Sequence, residues 1–224
     1  MSTTKTLIFD FNGTMFFDTE MHYRAWDEFM PRRLGRKLSR EELDRKIIGQ
    51  ANVDIFRRYF GDISPEQIEE LTMEKEAEYR RQCLLDPGRF HLVEGLEEFL
   101  DGLKADGYTM TIATGSPLVN LNFYMEHFRL DRWFSSAQII YDDGTYPGKP
   151  APDIYLLTME RLGVKPEDCI IFEDSLGGVR AAHAAGVHHI IALNETEGDA
   201  FYAEAGGVTQ ILRSFRGARE LIGI

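Results

Sequence analysis

The 224 residues are 43% hydrophobic and 28% charged, which excludes a disordered chain or a fibrous repeat. Acids outnumber bases 37 to 25, and the formal charge of -12 argues against a nucleic-acid partner. An anionic substrate would need a locally positive site of its own.

A length of roughly one and a half typical domains suggests one domain carrying an insert. Cys83 and Cys169 lie far apart with no metal-ligand spacing, as expected of reduced thiols acting as small hydrophobes. Met1 to Lys5 shows no signal-peptide pattern, and no apolar run approaches the about 20 residues of a membrane span. A cytoplasmic, monomeric protein without membrane contact is expected.

Thr6-Leu7-Ile8-Phe9 is a short, non-alternating apolar run, the pattern of a strand buried on both faces of a parallel sheet. From Glu20 to about Arg89 there is no convincing strand. Helical stripes appear instead, such as Ala25, Trp26, Phe29 and Met30, or Ile68 and Leu71. Ser64-Pro65 followed by Glu66 and Gln67 reads as a helix N-terminus, and Asp86-Pro87-Gly88 as a linker.

Beyond the linker, Leu96, Phe99, Leu100 and Leu103 make a helix stopped at Asp106-Gly107. A strand follows at Met110 to Ala113, then a helical stripe of Leu118, Leu121, Met125 and Phe128. Ala137 to Tyr141 is a weaker strand, and a helix begins near Ile154. Cys169 to Phe172 is a strand, Gly178 to Ala185 a helix closed by Gly186, and His189 to Ala192 another strand. Val208 to Leu212 is a second weak strand. Strands alternating with helices predict an α/β fold with a parallel sheet. The predicted core is 1–18 with 90–224, and the predicted helical insert is 19–89.

Four segments could carry chemistry. Asp10-Phe11-Asn12-Gly13-Thr14 ends the first strand, where a carboxylate points into the ligand crevice of an open α/β sheet. The same Asn-Gly pair also reads as a hairpin turn between Leu7–Phe11 and Thr14–Phe17. Ala113-Thr114-Gly115-Ser116-Pro117, at the end of the second strand and the start of the Leu118 helix, offers hydroxyls and backbone N–H groups suited to phosphate, or else Ser116 is simply a helix cap. Lys149 sits in a proline-flanked turn, Gly148-Lys149-Pro150-Ala151-Pro152, either as a solvated surface charge or as the missing positive group. Glu173-Asp174 ends another strand, where two carboxylates near Asp10 would repel unless a hard cation such as Mg²⁺ lay among them.

In this order, the four segments resemble the motifs of the haloacid dehalogenase-like superfamily of phosphatases and phosphomutases, over essentially the whole chain. Asp10 to Thr14 is similar to the first motif, Thr114 to the second, Lys149 to the third and Glu173-Asp174 to the fourth. Asp18 to Trp26 resembles the β-phosphoglucomutase-like branch, whose small helical cap would correspond to the insert.

The resemblance implies a Rossmann-like three-layer core and a Mg²⁺-dependent phosphohydrolase of a small phosphorylated metabolite. Asp10 would be the nucleophile, forming an aspartyl-phosphate that water cleaves. Asp10, the Asn12 carbonyl, Asp174 and Glu173, the last directly or through water, would hold the metal. Thr114, Gly115, Ser116 and Lys149 would neutralise the phosphoryl oxygens. The cap would close over the substrate.

One position departs from the family. Two residues after the nucleophile, where an aspartate usually trades a proton with leaving group and water, this chain carries Asn12. An amide does no acid–base chemistry at neutral pH, and such catalysis is worth roughly 10²–10⁴-fold. Three explanations stand at this stage. His22 could supply the proton. Asn12 could be an engineered or chemically altered aspartate, since an Asn-Gly pair is prone to deamidation. Or the chain could be a slow phosphatase or a phosphometabolite-binding protein. Schiff-base chemistry, as in phosphonate hydrolases, would need a cap lysine such as Lys46 or Lys75, neither in a matching motif. A β-phosphoglucomutase-type phosphotransferase ranks below a hydrolase, because Ile47 to Asn52 holds no basic residue to grip a second phosphate.

Overall fold

In the computed structural model of the chain, the described residues are 5–195, 199–204 and 206–224. Met1 to Thr4, on which the expectation of no leader rests, lie outside them. The chain divides into two compact units, Met1–Phe17 with His91–Ile224, and Asp18–Phe90.

β1 (Thr6–Phe9) opens the first unit, and its four residues are all buried. Four helices make the second unit: α1 (Thr19–Leu34), α2 (Arg40–Lys46), α3 (Asn52–Phe60) and α4 (Pro65–Leu85). The first unit resumes with α5 (Leu96–Ala105), β2 (Thr109–Pro117), α6 (Leu118–His127), β3 (Ile140–Asp142) and α7 (Asp153–Leu162). It ends with β4 (Cys169–Glu173), α8 (Leu176–Ala184), β5 (Ile190–Leu193), β6 (Val208–Leu212) and α9 (Ala218–Ile222). Among the described residues no helix is long and apolar enough to cross a membrane.

The strands form one parallel sheet in the order β3-β2-β1-β4-β5-β6. β1 is flanked on both edges, pairing Phe9 with Ile112 of β2 and with Phe172 of β4. That removes the hairpin reading of Asn12-Gly13: with both edges of β1 taken, Thr14 to Phe17 cannot lie beside it. Instead Gly13, at φ +77°, turns the chain so that its N–H donates to the Phe16 carbonyl at 2.8 Å.

Alternation along the strands sorts side chains between two layers. Phe9 and Phe172 stack at 4.6 Å on one face, against Phe99 of α5 and Phe215. Ile8 and Ile171 point the other way into a cluster with Ile154, Tyr155 and Met159 of α7 and Val179, Ala181 and Ala182 of α8. Helices on both faces of a parallel sheet make a three-layer Rossmann-like α/β fold. By parity, Asp10 and Glu173 fall on the face of Ile8 and Ile171.

Two local expectations are corrected. β2 runs past the expected Ala113 to Pro117, and Ser116, inside the strand, is not the cap of α6. The buried face of α6 is Asn120, Leu121 and Tyr124, while Leu118 is 46% exposed. The Leu118 stripe missed Tyr124, a residue whose polar end obscured it as a core position.

The second unit builds its own core from Trp26, Phe29, Met30, Ile55 and Phe56. α4 starts at the expected place. The Ser64 hydroxyl accepts from Gln67 N–H at 3.3 Å, and the Gln67 side chain accepts from Ser64 N–H at 2.9 Å. This reciprocal cap satisfies two otherwise orphaned donors. Cys83 and Cys169 are both free and buried, and burial pushes their thiols up to about 12 and about 11, so neither is a nucleophile at neutral pH.

Candidate active site

The strand order reverses about β1 and β4, and in open α/β sheets the crevice beyond the carboxyl ends at such a point is where ligands bind. The register Phe9↔Phe172, continued by one residue, puts Asp10 beside Glu173, and Asp10 N–H donates to the Phe172 carbonyl at 2.9 Å. Asp10, Glu173 and Asp174 each bring a carboxylate oxygen to within 4.8 Å of the others. Neighbouring strand ends thus supply all three acids.

Lys149, 139 positions from Asp10, donates to Asp10 Oδ1 at 2.6 Å and to Glu173 Oε1. It is the locally positive group within an acidic chain, not a solvated surface charge. Burial works against its ammonium, but Asp10 and Glu173 outweigh it and hold the group well above its ordinary range. Burial pushes the Asp10 carboxyl up to about 7, with Lys149 opposing and Glu173 reinforcing the rise. For Glu173, burial also acts upward, but Lys149, Tyr155 and backbone donors prevail and hold it below its ordinary value.

Glu173 has little left to offer a ligand. Its Oε1 accepts from Lys149 and from the Tyr155 hydroxyl at 2.7 Å. Oε2 accepts from the N–H groups of Asp174 and Ser175 at 3.0 and 3.2 Å, and from the Ser175 hydroxyl at 3.1 Å. This carboxylate holds Lys149 and the turn into α8. Asp174 is half-buried and accepts from Thr14 Oγ1 at 3.4 Å.

Two glycines make room for these acids. A Cβ on Gly178 would lie 1.9 Å from the Glu173 carboxyl carbon, and one on Gly13 would lie 2.0 Å from Asp174 Oδ2. Gly178→Ala is therefore expected to cost about 1–3 kcal/mol by overpacking and to lower turnover as Glu173 is displaced from Lys149. Urea titration alongside turnover measurements checks this, and a variant unchanged in both would contradict it.

Asn12 is fixed at both ends of its amide. The Ser116 hydroxyl donates to Oδ1 at 2.6 Å, and Nδ2 donates to the Tyr124 hydroxyl at 2.9 Å. Tyr124 is fully buried and stacks on Phe11 at 4.3 Å. Ser116, expected to bind phosphate, thus spends its hydroxyl on Asn12. Thr114 is buried and its Oγ1 accepts from Ser116 N–H at 3.1 Å, while Gly115 is exposed with open space where a Cβ would stand. The clamp also bears on deamidation. That reaction needs the Gly13 nitrogen to attack the Asn12 side chain, yet the Gly13 N–H is bonded to Phe16 and the amide is held by Ser116 and Tyr124. The native protein is expected to keep the amide on prolonged incubation at mildly alkaline pH, whereas the urea-unfolded chain loses it. Peptide mass analysis of both samples checks this.

His22 lies in the helical unit, stacked on Tyr79 at 4.2 Å. Its Nε2 is 3.2 Å from Asp18 Oδ2 and its Nδ1 is 3.2 Å from Lys75 Nζ. Both nitrogens are engaged within the unit, which favours a bridging helix residue over a proton donor. Lys75 is 3% exposed and pairs with Glu76 at 2.9 Å, so it is no free amine, and Lys46 is exposed in the last turn of α2. Asn52 Nδ2 donates to Glu76 at 2.8 Å.

Burial acts upward on Glu76, but Lys75, His22 and Asn52 prevail and hold its carboxyl at about 2. Its contribution to stability is full above the ordinary glutamate range and is lost as pH falls toward 2. Lys75→Met is expected to destabilise the chain by about 3 kcal/mol at pH 7, with a smaller deficit in acid. Denaturant titrations at neutral and acidic pH test this, and equal deficits would contradict it.

Tyr124 and Tyr155 were not singled out from sequence, whereas Ser175, which follows Glu173-Asp174 and reads from sequence as the cap of a helix starting near Leu176, does cap α8, its hydroxyl accepting from Gly178 N–H at 2.9 Å.

Comparison with known proteins agrees with this geometry. A model of haloacid dehalogenase-like hydrolases matches residues 4–186. The chain belongs to the haloacid dehalogenase-like hydrolase family. This hydrolase is 31% identical over 205 residues to the protein CbbY of Rhodobacter capsulatus, covering 89% of this chain and 90% of that one. It is 31% identical over 192 residues to the fructose-1-phosphate phosphatase YqaB of Escherichia coli, covering 81% and 92% respectively. The crystal structure of a family IA, variant 3 hydrolase from Entamoeba histolytica superposes with a TM-score of 0.87 at 31% identity, covering 98% of this chain and all of that one.

Proposed function

We propose that this hydrolase is a Mg²⁺-dependent phosphohydrolase of small phosphorylated metabolites, working through an aspartyl-phosphate on Asp10. The carrying observation is the convergence of Asp10, Lys149, Glu173 and Asp174 at the reversal of strand order. The phosphatase names of relatives such as YqaB support the same reading.

Crowded carboxylate oxygens are the donor chemistry of a hard divalent cation. Asp10 and Asp174 would be direct ligands, with the Asn12 main-chain carbonyl. Glu173, with its oxygens accepting from five donors, would act from behind by holding Lys149. When bound, the ion supplies charge neutralisation between the Asp10 carboxylate and the incoming phosphoryl group.

The chain's own residues then have distinct tasks. Asp10 attacks phosphorus, and Lys149 orients it and offsets charge on the phosphoryl oxygens. Thr114 and the Gly115 backbone complete the phosphate cradle. Asn12 orients what lies before it through its amide, held by Ser116 and Tyr124. Asp18–Phe90 serves as the cap. The test is a panel of phosphorylated metabolites with Mg²⁺, run on this protein and on Asn12→Asp. Phosphate release from one or more compounds supports the reading. Binding without release by both proteins supports the alternative that Asn12 favours, a phosphometabolite-binding protein.

A further inference from the structure

We propose that this hydrolase selects phosphoryl donors whose leaving oxygen departs as a stable anion, namely acyl phosphates, phosphoanhydrides and aryl phosphates, over alkyl monoesters such as sugar phosphates. The inference rests on the phosphoryl-transfer reading of Asp10 and narrows its substrate class.

Position 12 is where the argument starts. Its amide cannot give or take a proton at neutral pH, and the Ser116 and Tyr124 hydroxyls that clamp it are equally unsuited to that task. The clamp is built into the fold: Tyr124 is 0% exposed and stacked on Phe11, and Ser116 is 9% exposed. Displacing Asn12 to admit another group would break both of these hydrogen bonds. Lys149 lies between the carboxylates of Asp10 and Glu173, and the Tyr155 hydroxyl is directed at Glu173. Both are thus engaged by those carboxylates. His22 has both ring nitrogens engaged by Asp18 and Lys75.

The consequence follows from bond-breaking. As an Asp10 oxygen forms its bond to phosphorus, the bond from phosphorus to the leaving oxygen breaks and its electron pair stays on that oxygen. An alkoxide is too basic to leave without a proton. A carboxylate, a phosphate or a phenolate leaves as it is. In the second step water adds to phosphorus, its proton passes to solvent, and the bond to Asp10 breaks with the pair returning to the carboxylate. That step also lacks a base, so it is slow and the aspartyl-phosphate accumulates.

The experiment compares acetyl phosphate, a series of substituted phenyl phosphates and glucose-1-phosphate at saturating Mg²⁺, using the full chain. In the unmodified protein kcat/KM is expected to fall steeply as the leaving group becomes more basic. Good leaving groups share one kcat and appear in a burst, and acid-quenched samples show a phosphorylated protein by intact mass. Asn12→Asp is expected to raise kcat/KM for glucose-1-phosphate by roughly 10²–10⁴-fold, to raise it far less for acetyl phosphate, and to abolish the burst.

A leaving-group dependence that is flat in the unmodified protein overturns the proposal, and that measurement stands even if the variant does not fold. Equal gains for both substrates also overturn it. So does a His22→Ala variant that loses only the poor leaving groups, since the imidazole would then be the acid. No turnover and no phosphorylated protein with any donor would instead refute the phosphoryl-transfer reading itself.

Discussion

Asp10→Asn is expected to lower turnover by on the order of 10⁴-fold or more while raising stability at mildly alkaline pH. The kinetic part follows from removing the nucleophile, a loss that the remaining site cannot replace. The stability part follows from burial. The Asp10 carboxyl is 6% exposed beside Glu173, and burial pushes it up to about 7 despite Lys149. A carboxyl raised in the folded state stabilises the fold below its unfolded value of about 3.8, and that stability is lost as pH rises through about 7. The neutral amide escapes the loss. In chelator, a gain of about 1–3 kcal/mol is expected at pH 8 and a smaller one or none near pH 5. Thermal unfolding at the two pH values measures the difference. A variant less stable at pH 8 than at pH 5, relative to the unmodified protein, would contradict the account. Function and stability are opposed at this residue, as is common where charge is concentrated for catalysis.

Lys149→Met is expected to damage both properties. Removing one member of a buried ion pair usually costs about 3–5 kcal/mol, because the other charge is left without compensation. Here two carboxylates are left, but Asp10 can take a proton near neutrality, so a cost of about 2–3 kcal/mol is expected at pH 7. Glu173 carries the rest. Its carboxyl is held below its ordinary value mainly by Lys149 acting against burial, so the deficit is full at neutral pH and shrinks as acid protonates it. Turnover is expected to fall by roughly 10²–10³-fold, the range for losing one preorganised electrostatic group. Denaturant titration and kcat/KM on the same preparation test both parts. A stable variant with normal turnover would remove Lys149 from the site.

The sequence reading reached the acids and the lysine because each stands at a place with its own physical signature. Asp10 and Glu173-Asp174 end runs of buried apolar residues, and Lys149 sits where prolines fix the backbone. The helical insert was legible from a missing strand rhythm and from Ser64-Pro65. What stayed hidden is the second layer of contacts. Tyr124 reaches Asn12 across 112 positions and Tyr155 reaches Glu173 across 18, and neither stands in a segment whose local pattern points to the site. Ser116 misled for another reason. A serine before Pro117 has the pattern of a helix cap, but β2 continues through it because the strand end pairs Pro117 with Asp142 of β3. Gly178 was legible only as part of an alanine-rich helix, since the reason for glycine there is the Glu173 carboxyl beside it.

The central claim is that Asp10 becomes phosphorylated during turnover. The most direct measurement is acid quench of the enzyme in the presence of acetyl phosphate and Mg²⁺, followed by peptide mass mapping. A hydroxylamine-sensitive phosphoryl group on the peptide containing Asp10, absent from Asp10→Asn, is the predicted result. Phosphate release at full rate with no phosphoryl group on that peptide, or with Asp10→Asn still active, would contradict it.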